Sequence, residues 1–323
     1  MTPEMPGPWP SLPLAPWRGT RDALHMWTQI LGKTLLERCA PQNHWWHAAL
    51  RVSSRGLASP APVCDPEHAL DLELDLIDHF LHVRSEGLTR SIPLRPRSVH
   101  SFLDEYRALL RAAGVDVHLW TTPVEVPNPV PFDRDDVRRP YDAEAAHRFW
   151  QVLLRCDAAL RGLADGFLGK QSPVHFFWGS FDLAATRFSG RRAPERPGAD
   201  SITREAYSHE VISFGFWPGG LLPTGAEVDE PVVYAYAAPV PQGFGDADVP
   251  APGRWDQTLG EFVLPYEAIR TDPHPALRIR EFCEAVYEAG ARLGGWDRDA
   301  LERAHRAAAR EDGAATGAHP SAH

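Results

Sequence analysis

The chain has 323 residues, 43% hydrophobic and 24% charged, the profile of a folded, water-soluble protein rather than a disordered chain, a coiled coil or a collagen-like repeat. No apolar run approaches the ~18 residues needed to span a bilayer. With 43 acidic against 33 basic residues the net charge is -10, which argues against a general binder of nucleic acid or of anionic membrane.

Residues 1–20 are rich in proline and read as an extended arm pinned by Leu12, Leu14 and Trp17. They lack the basic-then-apolar pattern of a secretory leader, and the four scattered cysteines, Cys39, Cys64, Cys156 and Cys283, with no C-x-x-C, fit a reducing, cytoplasmic compartment. Leu24, Trp27, Ile30, Leu31 and Leu35 recur at helical spacing, with Thr20 or Asp22 as the cap. Residues 43–52 read as a strand. Leu70, Leu72, Leu74 and Leu76 alternate with Asp71, Glu73 and Asp75, a period of two with one apolar and one acidic face. Residues 80–84 and 90–94 give two more strands around a turn at Glu86-Gly87. Ser98 caps a helix carrying Val99, Phe102, Leu103, Tyr106, Leu109 and Leu110, closed by Gly114, and residues 115–126 read as a strand.

Residues 128–140 form a Pro-rich linker. A long helix is expected over 143–170, then a strand over 175–187 that is apolar on both faces, then strands over 209–217, 232–238 and 261–265. A last helix spans about 275–293, and the small, polar tail from about Glu311 reads as disordered. The parts repeat one plan, 21–127 against 141–296, with 297–323 as helix end and tail. Leu31-Gly32-Lys33 is answered by Leu168-Gly169-Lys170, and His44-Trp45-Trp46 by His175-Phe176-Phe177. The expected fold is therefore α+β, two related antiparallel-sheet units with flanking helices, an internal duplication packed as one body.

The segments 24–33, 43–47, 92–99, 172–192, 207–210 and 215–219 resemble a bacterial family of unknown function, domain of unknown function 5996, over about residues 8–303. The resemblance implies no activity, cofactor or partner, so function rests on the residues themselves.

The richest segment runs from Lys170 to Gly219. The loop expected between Phe188 and Ser208 begins with Arg191 and Arg192, beside Arg187, and guanidinium forks suit carboxylate and phosphate. An anion site is weighed there against a solvated loop whose arginines pair with Glu195, Asp200 and Glu205. If Arg187 pairs with Tyr207, His175, Arg187 and His209 share one face and Asp182 and Glu210 the other. Asp182 and Glu210, with His209, are then the candidate acid–base groups, weighed against plain structural acceptors. Lys170, His175, Trp178, Arg187, Arg191, Arg192, Tyr207 and Trp217 are the candidate ligand contacts, with Tyr234 and Tyr236 among the aromatic residues that line either a pocket or ordinary core. The best functional reading is a cytoplasmic protein that binds a small, anionic molecule. A metal-independent hydrolase or isomerase and a non-catalytic interaction protein are the alternatives. His44 and His47, three apart on a strand, face opposite ways, and no C-x-x-C, H-E-x-x-H, G-x-S-x-G, P-loop or Rossmann fingerprint occurs. No metal, no cofactor, no nucleic acid and no membrane partner is expected. Only Lys33 and Lys170 are lysines, as GC-rich coding would produce.

Overall fold

Helix α1 (Leu14–Arg38) is the axis of the molecule, and every residue from 23 to 35 is buried. The segment expected as an extended arm turns helical at Leu14, with Pro16 in the first turn, where its missing N–H costs nothing. The computed structural model describes residues 9–60, 63–64 and 69–303, so the polar tail lies outside the described residues. No helix among them is long and apolar enough to cross a membrane.

After α1 come β1 (Arg51–Val52), β2 (Gly56–Ala58), β3 (Val63–Cys64), β4 (Ala69–Asp75), β5 (Phe80–Ser85) and β6 (Leu88–Pro93). They form an antiparallel sheet in the order β1-β2-β4-β5-β6, with β3 also against β4. The leucines of β4 are buried as the alternation demands, but Asp75 is not on a wet face. It accepts from the N–H groups of Ile77 and Asp78 and from Arg55, and so shapes the β4–β5 turn. Helix α2 (Val99–Ala112) follows, its first turn closed by Ser98 accepting from the Ser101 N–H.

Helix α3 (Ala143–Arg161) opens the second half and ends nine residues short of the expected Lys170, at Gly162. Then come β7 (His175–Phe177), β8 (Asp182–Arg192), α4 (Ser201–Ala206), β9 (His209–Trp217), the hairpin β10 (Gly220–Leu221) with β11 (Glu227–Val228), β12 (Val232–Ala238), β13 (Arg254–Asp256), β14 (Glu261–Pro265), α5 (Tyr266–Ile269), α6 (Pro275–Leu293) and α7 (Arg298–Leu301). The second antiparallel sheet has the order β13-β14-β12-β9-β8-β7. The two sheets meet edge to edge, where Leu50 and Phe176 exchange backbone hydrogen bonds of 3.0 and 2.7 Å.

Three expected strands and one expected loop change form. Residues 43–48 make a 3-10 turn in which His44 and Trp45 take φ of 57° and 60°. Residues 115–126 form no strand; an irregular strap runs beside α1 instead. The expected strand over 175–187 is two strands, folded back at residues 178–181 with Phe181 at φ 62°. Its apolar character on both faces concealed the turn, because the turn itself is Trp178-Gly179-Ser180-Phe181. The loop expected over 188–208 is shortened from one side by β8 and holds α4, capped by Asp200.

The fold class is α+β with antiparallel sheets, and both halves run helix, meander, helix. Shared element order does not establish duplication, and two correspondences that suggested it fail in space. His44-Trp45-Trp46 is a turn while His175-Phe176-Phe177 is a strand, and Lys33 lies inside a helix while Lys170 lies beyond one.

A packing constraint on α1 can be tested. A Cβ on Gly32 would stand 2.0 Å from the Trp178 indole nitrogen, which donates to Ala48 O at 2.7 Å. Gly32→Ala should therefore destabilise the protein although alanine is the better helix former by ~1 kcal/mol. An overpacking cost of ~1–3 kcal/mol is expected, read as a fall of several degrees in Tm; an unchanged or raised Tm would show that Trp178 moves aside freely.

Candidate functional site

The second sheet has two unlike faces. Leu183, Ala185, Ile212, Phe214, Phe216, Val233, Ala235, Phe262 and Leu264 face α3 and α6 and belong to the main core. Among the described residues, α3 and α6 cover only that face, and the opposite face carries smaller pieces. Two small apolar clusters lie on it, one around Trp217, Val232 and Val263, the other around Phe188, Val211 and Ala238. Leu222 and Val228 of the β10–β11 hairpin cover the first, and Trp46 and Tyr207 the second. Between them the register aligns Thr186, Ser213 and Tyr236 across β8, β9 and β12. This polar band between two flaps is the floor of the candidate cleft.

Asp182 is its deepest charged group. It begins β8, is 7% exposed, and accepts short hydrogen bonds from the Tyr234 hydroxyl and the Ser180 hydroxyl. Tyr234 and Tyr236 alternate on β12 and stack 6.1 Å apart, and Tyr236 meets Tyr207 hydroxyl to hydroxyl at 2.9 Å. Thr186 and Ser213 complete the band at 2.7 Å.

Two further carboxyls lie near enough to Asp182 to feel its charge. Glu261 is half-buried at the start of β14, and burial, with Asp182 and Asp256 nearby, pushes it up to about 8. Glu125 is open to solvent on one side, yet its carboxylate rests against Gly179, where a Cβ would come within 2.4 Å of it. Burial and then Asp182 raise it in the same direction. Asp182 is itself raised by burial, against the lowering effect of its two donors. Among the described residues none of the three makes an ion pair, and no group of three His, Cys, Asp or Glu side chains is placed to hold a metal.

Helix α1 sets this geometry. His25 Nε2–H donates to Gly179 O at 2.8 Å and holds the turn before Asp182. The Gln29 amide bonds both the N–H and the C=O of Val124, at 2.9 and 2.8 Å, and so presents Glu125, whose φ is 55°.

The arginines expected as a rim are committed elsewhere. Arg187 pairs with Ile212, not Tyr207, so the register is displaced by five residues; an odd displacement exchanges the faces. Arg187 therefore points into the core, 1% exposed, bidentate to Glu284 at 2.8 and 3.0 Å, bonded to Leu163 O, and packed on Tyr287 and Phe167. Arg191 binds Glu210 and the carbonyls of Gly294 and Gly295 at the end of α6. Arg192 is exposed beyond a bulge at Gly190. Glu210 accepts from Arg191 and Ser189 on the α6 side. The expected Asp182–Glu210 pair is thus not formed: the two carboxylates lie on opposite faces, seven positions apart along β9, roughly 23 Å at strand rise. Arginines gather instead at the start of α2, where Arg95, Arg97 and Arg138 line a groove of about 470 Å³ that also holds Asp136.

The other expected contacts divide. His175 is on the cleft face but wholly buried, packed against Trp46 and Phe177 and held neutral by burial, so it cannot touch a ligand. Trp178 and Trp217 are scaffold, donating to Ala48 O and Ser180 O. Tyr207, beneath Arg196, and Lys170 and His209, both beside His44, border the cleft.

The family model for the family of unknown function DUF5996 matches residues 9–303. The chain belongs to that family. No curated protein and no solved structure matches it. The family's description carries no chemistry, so the geometry above stands as the functional information.

The raised carboxyl at Glu261 makes a pH prediction. The native state keeps its proton up to about 8, whereas the unfolded chain releases it near the ordinary 4.5. The stability it contributes is complete below 4.5 and is lost as pH rises toward 8. Glu261→Gln should flatten the decline in Tm between pH 5 and 8.5, leaving the variant a few degrees more stable at the upper end. Parallel profiles for the two proteins would place Glu261 in open water.

Proposed function

We propose that the open face of the second sheet is a binding cleft for a small molecule, and that this molecule is uncharged or cationic rather than anionic. One observation carries the reading: Asp182 lies on a floor of tyrosine hydroxyls, Glu125 and Glu261 are each raised by burial and by the charge of Asp182, and among the described residues none of the three pairs with a cation, while Arg187 and Arg191 are spent on internal partners. Protonated carboxyls and tyrosine hydroxyls donate and accept, which suits a polyhydroxylated ligand. Ionised carboxylates beside aromatic rings suit an amine. The anionic ligand suggested by arginine content alone finds Arg187 and Arg191 committed to carboxylates, and Lys170 and Arg196 stand at the border of the cleft rather than among its carboxyls. Buried thiols at Cys156 and Cys283 support a reducing, cytoplasmic setting.

The same carboxyls support a second reading, in which Glu261 rather than Glu210 serves as a general acid on the bound molecule. Being raised to about 8, it carries the proton such a role requires at neutral pH.

A thermal-shift series distinguishes ligand classes. Choline, putrescine and a set of neutral polyols are compared with phosphate and succinate at fixed ionic strength. At least one amine or polyol should raise Tm by several degrees, and Tyr236→Phe or Glu261→Gln should cut that shift by half or more. If only phosphate or succinate stabilises, or the shift survives both substitutions, the cleft reading is wrong.

A further inference from the structure

Lysine is scarce in this chain, two of 33 basic residues, and the ion pairs among the described residues that involve Lys or Arg are all made by arginine. Both lysines lie instead against aromatic rings. Lys33 Nζ is 3.9 Å from the Trp120 ring, 3% exposed, without a hydrogen-bond partner, and sealed. Lys170 Nζ is 4.8 and 5.1 Å from the Phe188 and Trp46 rings, but its residue is exposed, at the border of the cleft. Arginine is never deprotonated in proteins, whereas lysine can release a proton and become a nucleophile. In a chain that otherwise uses arginine for its cations, a lysine in contact with a base is informative.

That base is His44. Its Nε2 is 2.8 Å from Lys170 Nζ. Its Nδ1 lies 3.2 and 3.3 Å from the carbonyl oxygens of Glu205 and Ala206, so Nδ1 carries the hydrogen and the Nε2 lone pair faces the amine. The ring is wedged beside Phe188 and Trp46. Two successive non-glycine residues, His44 and Trp45, sit in the left-handed region to hold it there, a strain that surrounding contacts must offset. Nucleophile, base and an orienting acceptor on the base are the parts of an activated-nucleophile site.

We propose that Lys170 is a nucleophilic amine that condenses with an aldehyde or ketone, with His44 as its base. His44 takes a proton from the Lys170 ammonium; the freed lone pair forms a C–N bond to the carbonyl carbon as the C=O π pair moves to oxygen. The His44 imidazolium returns its proton to that oxygen and then takes one from the attached nitrogen, which gives the neutral carbinolamine; the hydroxyl leaves as water with that imidazolium proton, and the nitrogen lone pair closes the C=N bond of the protonated imine, with no change of oxidation state. Burial lowers the Lys170 ammonium from its ordinary value. The groups around it are His44 of the 3-10 turn, His209 of β9, 5.7 Å from the His44 ring, and Glu205 of α4, whose carboxylate accepts from the His44 N–H. The inference goes beyond the binding reading and does not depend on the cleft's ligand class.

The test is reductive trapping of the full chain with propionaldehyde and cyanoborohydride, with N-acetyl-lysine amide in the same solution and peptide mass spectrometry as the readout. Lys170 should be alkylated at least 10-fold faster than the model amine at pH 7, Lys33 should not react, and the Lys170 midpoint should lie below the ordinary 10.5. Natively melting His44→Gln should slow Lys170 at least 10-fold. Labelling at the rate of the model amine, or a rate indifferent to His44→Gln, overturns the proposal. Should His44→Gln not fold, the wild-type midpoint decides alone, a value at or above 10.5 overturning it.

Discussion

A helix buried on all sides cannot leave its polar side chains to water, and this constraint on α1 organises the rest of the molecule. Arg21, His25 and Gln29 fall one turn apart on one stripe of it, each inside the protein. A buried polar group left unmatched costs about 1–3 kcal/mol, so each must find a partner in whatever packs against the stripe. His25 finds the Gly179 carbonyl, Gln29 finds both backbone groups of Val124, and Arg21 lies over Phe181 and against Gly220. Those partners belong to the β7–β8 turn, the strap and the β10–β11 hairpin, the three pieces that surround Asp182.

The sheet they frame is segregated by charge as well as by layer. Its covered face takes the cation Arg187, matched by Glu284, the Leu163 carbonyl and aromatic rings. Its open face takes carboxyls and tyrosines. A buried guanidinium matched on several sides is a scaffold element, and removing its partner would strand a charge. Carboxyls without cations on an open face have no such structural excuse, since burial raises all three and the charge of Asp182 raises Glu125 and Glu261 further.

Helices and regular strands were legible because their periods are local: the leucines of β4, the Ser98 cap and the apolar stripes of α2, α3 and α6 all stand where residue spacing puts them. The site was legible only in part. Tyr234 and Tyr236 share a face through simple alternation, and Asp182 and Lys170 stood out as polar residues among aromatics. The faces of β9 came out exchanged because its register against β8 is set by the connection over 188–208, with its bulge and α4, and His175 changed face because a turn spelled Trp178-Gly179-Ser180-Phe181 looks like strand. Glu125 left no signal at all, since it is placed by the hydrogen bonds between its neighbour Val124 and Gln29, almost a hundred positions away. The His44–Lys170 contact spans a similar separation and depends on a left-handed turn that aromatic composition disguises.

The exchange between Leu50 and Phe176 does more than join two sheets. Strands β1 and β7 would each otherwise be an outermost strand with free N–H and C=O groups, a template on which another chain could add. By meeting there, each blocks the other. Of the outermost strands that remain among the described residues, β6 carries Arg90 and ends in Pro93, and β13 is only three residues long and begins at Arg254. Charge, proline and brevity are poor templates, so the geometry that unites the halves also guards the chain against recruiting copies of itself into a growing sheet.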